Sequence, residues 1–302
     1  VNHLRRTFDE ARERREQDGS EYKLGAITQF LWKASEEWRM DYHAKSGETQ
    51  SNSRMDTQDC ASRAAIEDIE EDLTCGYRTT MHPDTKAFLE PCVVWRDGKP
   101  YVELADAYIA IKSGTTKQGN SLKAPVQALH TWGFVPKAWL PLGPDMMWED
   151  YHNPARITKE IEDYAKESVM RLPIQYQQIS ISSFVDELKN GGLSMAVSAW
   201  PIPINGIYPR TLEQFNHAIY GIKAKYFIKD SYLDPLDQDY IKQLAPDYRF
   251  FDWAYQLGIV AEKTDIQVLQ ESGILDQLQK IINDLLAWLK QSKLGRALGY
   301  GR

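Results

Sequence analysis

The chain has 302 residues, 42% of them hydrophobic and 11% aromatic, with a formal net charge of −7. That length suits one large domain or two lobes around a shared cleft, and the acidic balance argues against a general nucleic-acid binder. No run of about 18 apolar residues occurs, so no membrane-spanning helix is expected. The three cysteines, Cys60, Cys75 and Cys92, do not suggest a disulfide-stapled scaffold. At most Cys75 and Cys92 would pair, leaving Cys60 free. No signal peptide is visible, and the chain opens at Val1, which reads as a trimmed or processed start or as missing first residues.

Residues 2–18 are dense in Arg and Glu, with Leu4, Phe8 and Ala11 at helical spacing, and read as an exposed helix or arm. Residues 23–40 carry Leu24, Ile27, Leu31, Trp32, Ser35 and Trp38 in an amphipathic helical pattern. Residues 46–54 are polar and read as a loop. From Cys60 to Thr74 the period is helical, with Ala61, Ala64, Ala65, Ile69 and Leu73 inward and Glu67, Asp68, Glu70 and Glu71 on a predicted wet side. Asp56 and Thr57 are capping-type residues just upstream, so Cys60 is expected in the first helical turn. Helices are also predicted at 104–112, 122–132, 157–168 and 183–189, with a turn-rich loop over 113–121. The texture then changes: 193–199, 217–222 and 225–229 alternate like strands. A helical first half and a strand-rich second half make an α+β chain. Residues 273–292 form a last helix, with Leu275, Leu278, Ile282, Leu285 and Leu289 along one seam, followed by a Gly-rich basic tail.

A thiol is an effective nucleophile as the thiolate, a form that a helix N-terminus and a neighbouring imidazolium favour. Cys60 has the first feature by position. His217, in Asn216-His-Ala-Ile-Tyr-Gly221, would supply the imidazole. Asp230, in Lys229-Asp-Ser-Tyr232, follows on the next strand and would orient the ring. The remaining histidines, His3, His43, His82, His130 and His152, have no metal-ligand spacing. No phosphate loop or dinucleotide fingerprint occurs, so no cofactor is called for. Taken singly, Cys60 also reads as a buried core thiol and His217 as a structural histidine.

The order Cys60, His217, Asp230 resembles papain-like cysteine peptidases, and most of all the divergent versions of tailed bacteriophages. The resemblance covers roughly residues 50 to 235. It implies a two-lobed fold in which the nucleophilic Cys opens the central helix of a helical left lobe, with a Glu ten residues on, here Glu70. It places His217-Ala-Ile219 and Lys229-Asp-Ser-Tyr232 on strands of the right lobe, with Tyr232 as the aromatic beside the His. It puts Gly119 and Asn120 in the Gly-rich segment that lines the substrate cleft. Three departures stand out: Ala61 follows the nucleophile in place of an aromatic, Asp230 replaces Asn, and Arg54 occupies the place of the oxyanion-hole Gln. Gln58 and Asn52 are the candidates for that donor.

The chain therefore reads as an N-terminal helical arm (1–45), a papain-like domain (46–265) and a C-terminal amphipathic helix with its basic tail (266–302). The expected activity is peptide hydrolysis through Cys60, His217 and Asp230. The alternatives are an inactive papain-like structural protein of a phage virion and a peptidoglycan amidase or transglutaminase-like thiol enzyme. A protein or peptide is the expected substrate. The last helix would mediate virion assembly or homo-oligomerisation, and the expected location is a virion or the cytoplasm.

Overall fold

The computed structural model describes residues 30–32, 34–45, 49–211, 214–223, 226–232, 240–263, 267 and 274–291. The arm predicted at 2–18 and the basic tail lie outside them. The chain divides into two units, Val1–Glu262 and Lys263–Arg302.

Among the described residues of the first unit, the α-helices in chain order are α1 (Glu36–His43), α2 (Cys60–Arg78), α3 (Pro83–Leu89), α4 (Asp106–Lys112), α5 (Lys123–Trp132), α6 (Trp148–Tyr151), α7 (Lys159–Arg171) and α8 (Phe184–Glu187). The strands are β1 (Val93–Arg96), β2 (Lys99–Val102), β3 (Ile174–Ser180), β4 (Leu193–Val197), β5 (Ile207–Tyr208), β6 (His217–Lys223), β7 (Phe227–Lys229), β8 (Ile241–Leu244) and β9 (Trp253–Ile259). β1 and β2 form a hairpin among the helices; the others form a seven-stranded sheet ordered β3-β9-β4-β6-β7-β8-β5. Its pairs are antiparallel except β5–β8. The architecture is α+β.

Two apolar cores result. One gathers α2, α4 and α5 with Ala196, Ala218, Tyr255 and Leu257 from one face of the sheet. The other lies on the opposite face, with Met195, Val197, Ile219, Ile228, Leu244 and Phe250. The period-2 alternation along β4 and β6 sorts their side chains between the two. Small residues lie on both sides of the α2–sheet contact: Ala61, Ala64 and Ala65 on the helix, Ala196 and Ala218 on the strands. The Ser194 hydroxyl donates to the Ala64 carbonyl at 2.8 Å. This close approach carries the start of α2 to the start of β6.

The sequence pattern errs on the acids of α2. Glu67, Asp68, Glu70 and Glu71 are buried, not wet. Helix α2 is covered all round, and each acid has a partner: Lys229 for Glu67, the Leu257 N–H for Asp68, the Leu104 N–H for Glu70, and His43 and Tyr220 for Glu71. A row of acids is normally a solvated face because burying a charge costs several kcal/mol, and only such partners reverse that.

The helical pattern of 23–40 gives way where it can be compared, 23–29 lying outside the described residues. Residues 30–32, 34 and 35 are not helical, the Leu31 N–H bonds to the Ile259 carbonyl, and the helix starts only after Ser35, whose hydroxyl caps it. Arg39 is fully buried and donates to the carbonyls of Ile222, Ala34 and Leu188. The pattern misses β3, β8 and β9. β9 is buried on both faces, so its sequence does not alternate.

Gly76 lies within α2 because Trp32 lies over it: a Cβ there would be 2.3 Å from the indole. Gly76→Ala, which ordinarily favours a helix by about 0.5–1 kcal/mol, is expected here to destabilise by about 1–3 kcal/mol through overpacking. Thermal melts of the two proteins check the sign.

In the second unit, α9 spans Ile274–Gln291 and exposes Ile281, Ile282, Leu285 and Leu286. Among the described residues no helix is long and apolar enough to cross a membrane. Cys60, Cys75 and Cys92 are all free thiols.

Candidate active site

Cys60 is the first residue of α2 and is 7% exposed. As the first helical residue, its backbone N–H has no acceptor within the helix. The turn before it is fixed by Asp59, which accepts from Arg63 Nε at 2.8 Å and from the Tyr151 hydroxyl at 2.7 Å. Arg63 also pairs with Asp106 at 3.1 Å. Burial pushes the Asp106 carboxyl up to about 7, against the pull of Arg63.

His217 opens β6, opposite Val197 on β4. Asn216, just before it, locks that corner: its side chain accepts from the Ala199 N–H at 2.7 Å and donates to the Ala199 carbonyl at 2.9 Å. β7 pairs with β6 with Tyr220 opposite Lys229, so Asp230 follows within reach of His217. The His217 Nε2–Asp230 Oδ1 distance is 2.5 Å, with both side chains buried. That leaves Nδ1 as the other ring nitrogen. The Cys60 side chain lies near enough to the imidazole to favour its charged form. Burial opposes the imidazolium, but Asp230 and Cys60 together push the His217 pKa up to about 10. Burial likewise disfavours ionised Asp230, yet His217 and Lys242 hold its carboxyl below the usual range. Cys60, Arg63, Ala64, Ala218 and Asp230 line one cavity.

The structure therefore brings Cys60, His217 and Asp230 together. Tyr232 is there too, its ring 5.4 Å from that of His217 and its hydroxyl bound to Asp56 and Gln50. Gln58 lies two residues before Cys60 with φ of 58°; its N–H donates to Asp56 at 2.7 Å. Asn52 turns away: both its amide hydrogens go to the carbonyls of Gly143 and Met146. Gly119 and Asn120 do not line the Cys60 cavity. Gly119 closes a tight turn with Thr116 at φ of 88°. The Asn120 amide is spent inside the loop, on Ser113 and Thr115. A Gly-rich string signals a turn, but the sequence does not say what the turn faces.

Three contributors escape the sequence reading. Gln50 clasps the two halves of the site: its carbonyl oxygen accepts from the Ser231 hydroxyl at 2.6 Å, its side-chain amide donates to Asp56 at 3.0 Å, and its main chain pairs with Ser231 and Thr57. Trp200 sits edge-on to His217 at 5.9 Å. Lys242 pairs with Asp230. None of the three stands in a motif.

No protein-family model and no curated protein sequence matches the chain. Among solved structures, it is similar to xylellain, a cysteine protease from Xylella fastidiosa, at 11% identity over 78% of this chain and 89% of that one, with a TM-score of 0.49. It is also similar to the Carica candamarcensis cysteine protease CMS1MS2, crystallised in complex with E-64, at 10% identity over 75% of this chain and 97% of that one, with a TM-score of 0.47. The chemistry assigned below is argued from this chain's own residues.

Proposed function

We propose that the chain is a papain-like cysteine peptidase that hydrolyses amide bonds through Cys60, His217 and Asp230. The observation that carries this reading is a thiol at a helix start that shares one site with an imidazole whose Nε2 is held by a buried carboxylate. The Cys60 thiolate attacks the carbonyl carbon. The oxyanion is assigned to the Cys60 N–H, at the open start of the helix, and to the side-chain amide of Gln58, two residues before it. His217 protonates the leaving amine, then takes a proton from the water that releases the acyl group. The Tyr232 ring lies beside His217 and is assigned to the substrate path next to it. The test is hydrolysis of a broad peptide library, with mass-spectrometric location of E-64 on the protein. Stoichiometric E-64 on Cys60 and loss of hydrolysis are expected; turnover that survives full Cys60 modification rules the reading out.

A second reading is a papain-like structural component of a virion that no longer cleaves. It is favoured by the commitment of the Asn52 and Gln50 amide hydrogens elsewhere, which leaves neither free to stabilise an oxyanion. Rapid labelling of Cys60 without hydrolysis of any peptide, protein or peptidoglycan substrate selects it.

The apolar face of α9 fits association between copies in either reading, since its 3–4 spacing is that of a helix bundle. Leu278→Asp with Leu285→Asp is expected to lower the mass in light scattering at least two-fold. An unchanged mass removes α9 as an oligomerisation element.

A further inference from the structure

Lys242 is the second residue of β8 and is 2% exposed. Its Nζ lies 2.8 Å from Asp230 Oδ2, the carboxylate oxygen that His217 does not use. It also donates to the Tyr232 carbonyl and sits 5.5 Å from the Trp200 ring centroid. Asp230, the Trp200 ring and the ring of Tyr232 also face His217. A buried ammonium is costly unless paired, so its position directly behind the acid needs a physical reason.

We propose that Lys242 is a positioning residue that holds and neutralises Asp230, so that the pair offers His217 the hydrogen bond of an acid with the net charge of an amide. The proposal rests on the thiol chemistry above. In the reactive form the thiolate, imidazolium, carboxylate and ammonium charges cancel. Without the ammonium the cluster keeps an unbalanced negative charge in a place where water cannot screen it. That charge opposes the thiolate and favours the imidazolium.

Among the described residues, the titratable groups that face His217 are Cys60 from α2, Asp230 and Tyr232 from the segment after β7, and, through Asp230, Lys242 on β8 and Tyr248 just beyond it. Arg63, from the first turns of α2, lines the same cavity as Cys60 and is paired with Asp59 and Asp106. Asp56 reaches the ring only through the Tyr232 hydroxyl. Lys229 and Glu67 line the Cys60 cavity too, paired with each other.

The experiment is the pH profile of Cys60 alkylation by iodoacetamide in the full chain. Wild type should show a window of rapid, His217-dependent alkylation. Lys242→Met should move both limbs of that window upward by on the order of one pH unit. Lys242→Arg should leave it in place, and Lys242→Met with Asp230→Asn should return it. Asp230→Asn alone leaves Lys242 uncompensated and should move both limbs down, which tests the proposal even where Lys242→Met does not fold. Limbs that stay put in Lys242→Met and Asp230→Asn, with only a uniform rate loss or a lower melting temperature, overturn it. Absence of His217-dependent alkylation in wild type instead overturns the underlying thiol reading.

Discussion

Replacing His217 with alanine is expected to lower amide hydrolysis about 10²–10⁴-fold, the usual worth of a positioned acid–base group, and to end rapid alkylation of Cys60 near pH 7. Cys60→Ala should remove both outright. Neither variant should lose the fold. Cys60 contributes a small side chain beside a cavity, and in His217→Ala the Asp230 carboxylate keeps its Lys242 partner. The folded state does give up one term. The raised His217 pKa adds stability that is fully present below the unfolded value near 6.5 and is lost as pH rises through about 10. The melting temperature of His217→Ala should therefore fall more, relative to wild type, at pH 6 than at pH 10. The labelling assay is selective because burial pushes Cys75 up to about 11 and Cys92 up to about 12, where both stay protonated and unreactive at neutral pH. Undiminished hydrolysis by Cys60→Ala would place the chemistry elsewhere in the chain.

What the sequence makes legible here follows range. Cys60 at a helix start, a strand opening at His217 and an acid on the following strand are local patterns, each carried by a dozen residues or fewer. Their chain order adds the rest of the reading. Gln50, Asn52 and Lys242 are a different case. An amide or an ammonium becomes part of a site, or is excluded from it, through partners far away in sequence. Asn52 is spent on Gly143 and Met146, and Gln50 on Ser231 and Tyr232. Lys242 gains a role only because β7 and β8 pair in the register that sets Lys229 opposite Ile241. The acids of α2 mislead for the same reason. Their partners come from α1, β6, β7, β9 and the segment after β2, and helix periodicity has no term for cover on every side.

The Glu67–Lys229 pair is the sharpest instance, and it predicts a large effect. Lys229 Nζ lies 2.5 Å from Glu67 Oε1, with 3% and 10% of the two side chains exposed. His43 continues the network, 3.4 Å from Glu67 and 2.9 Å from Glu71. Burial alone would raise the Glu67 pKa, but Lys229 and His43 hold it down at about 2. Glu67→Leu leaves the Lys229 ammonium, and Lys229→Met leaves the Glu67 carboxylate, without its main counter-charge in the interior. Each is expected to cost about 3–5 kcal/mol. The double variant exchanges the pair for apolar contact and should recover most of that loss, a coupling readable from a double-mutant cycle in urea. The sign with pH is fixed by the lowered pKa: the Glu67 contribution is fully present above about pH 4.5 and is lost as the pH falls toward 2. Acid titration of Lys229→Met should therefore lack part of the wild-type stability loss below pH 4.5. Because Lys229 immediately precedes Asp230, both single variants should also slow Cys60 alkylation by loosening β7, and the double variant should restore its rate. Additive losses with no recovery in the double variant would show that the two side chains act independently and that β7 is anchored by its strand neighbours alone.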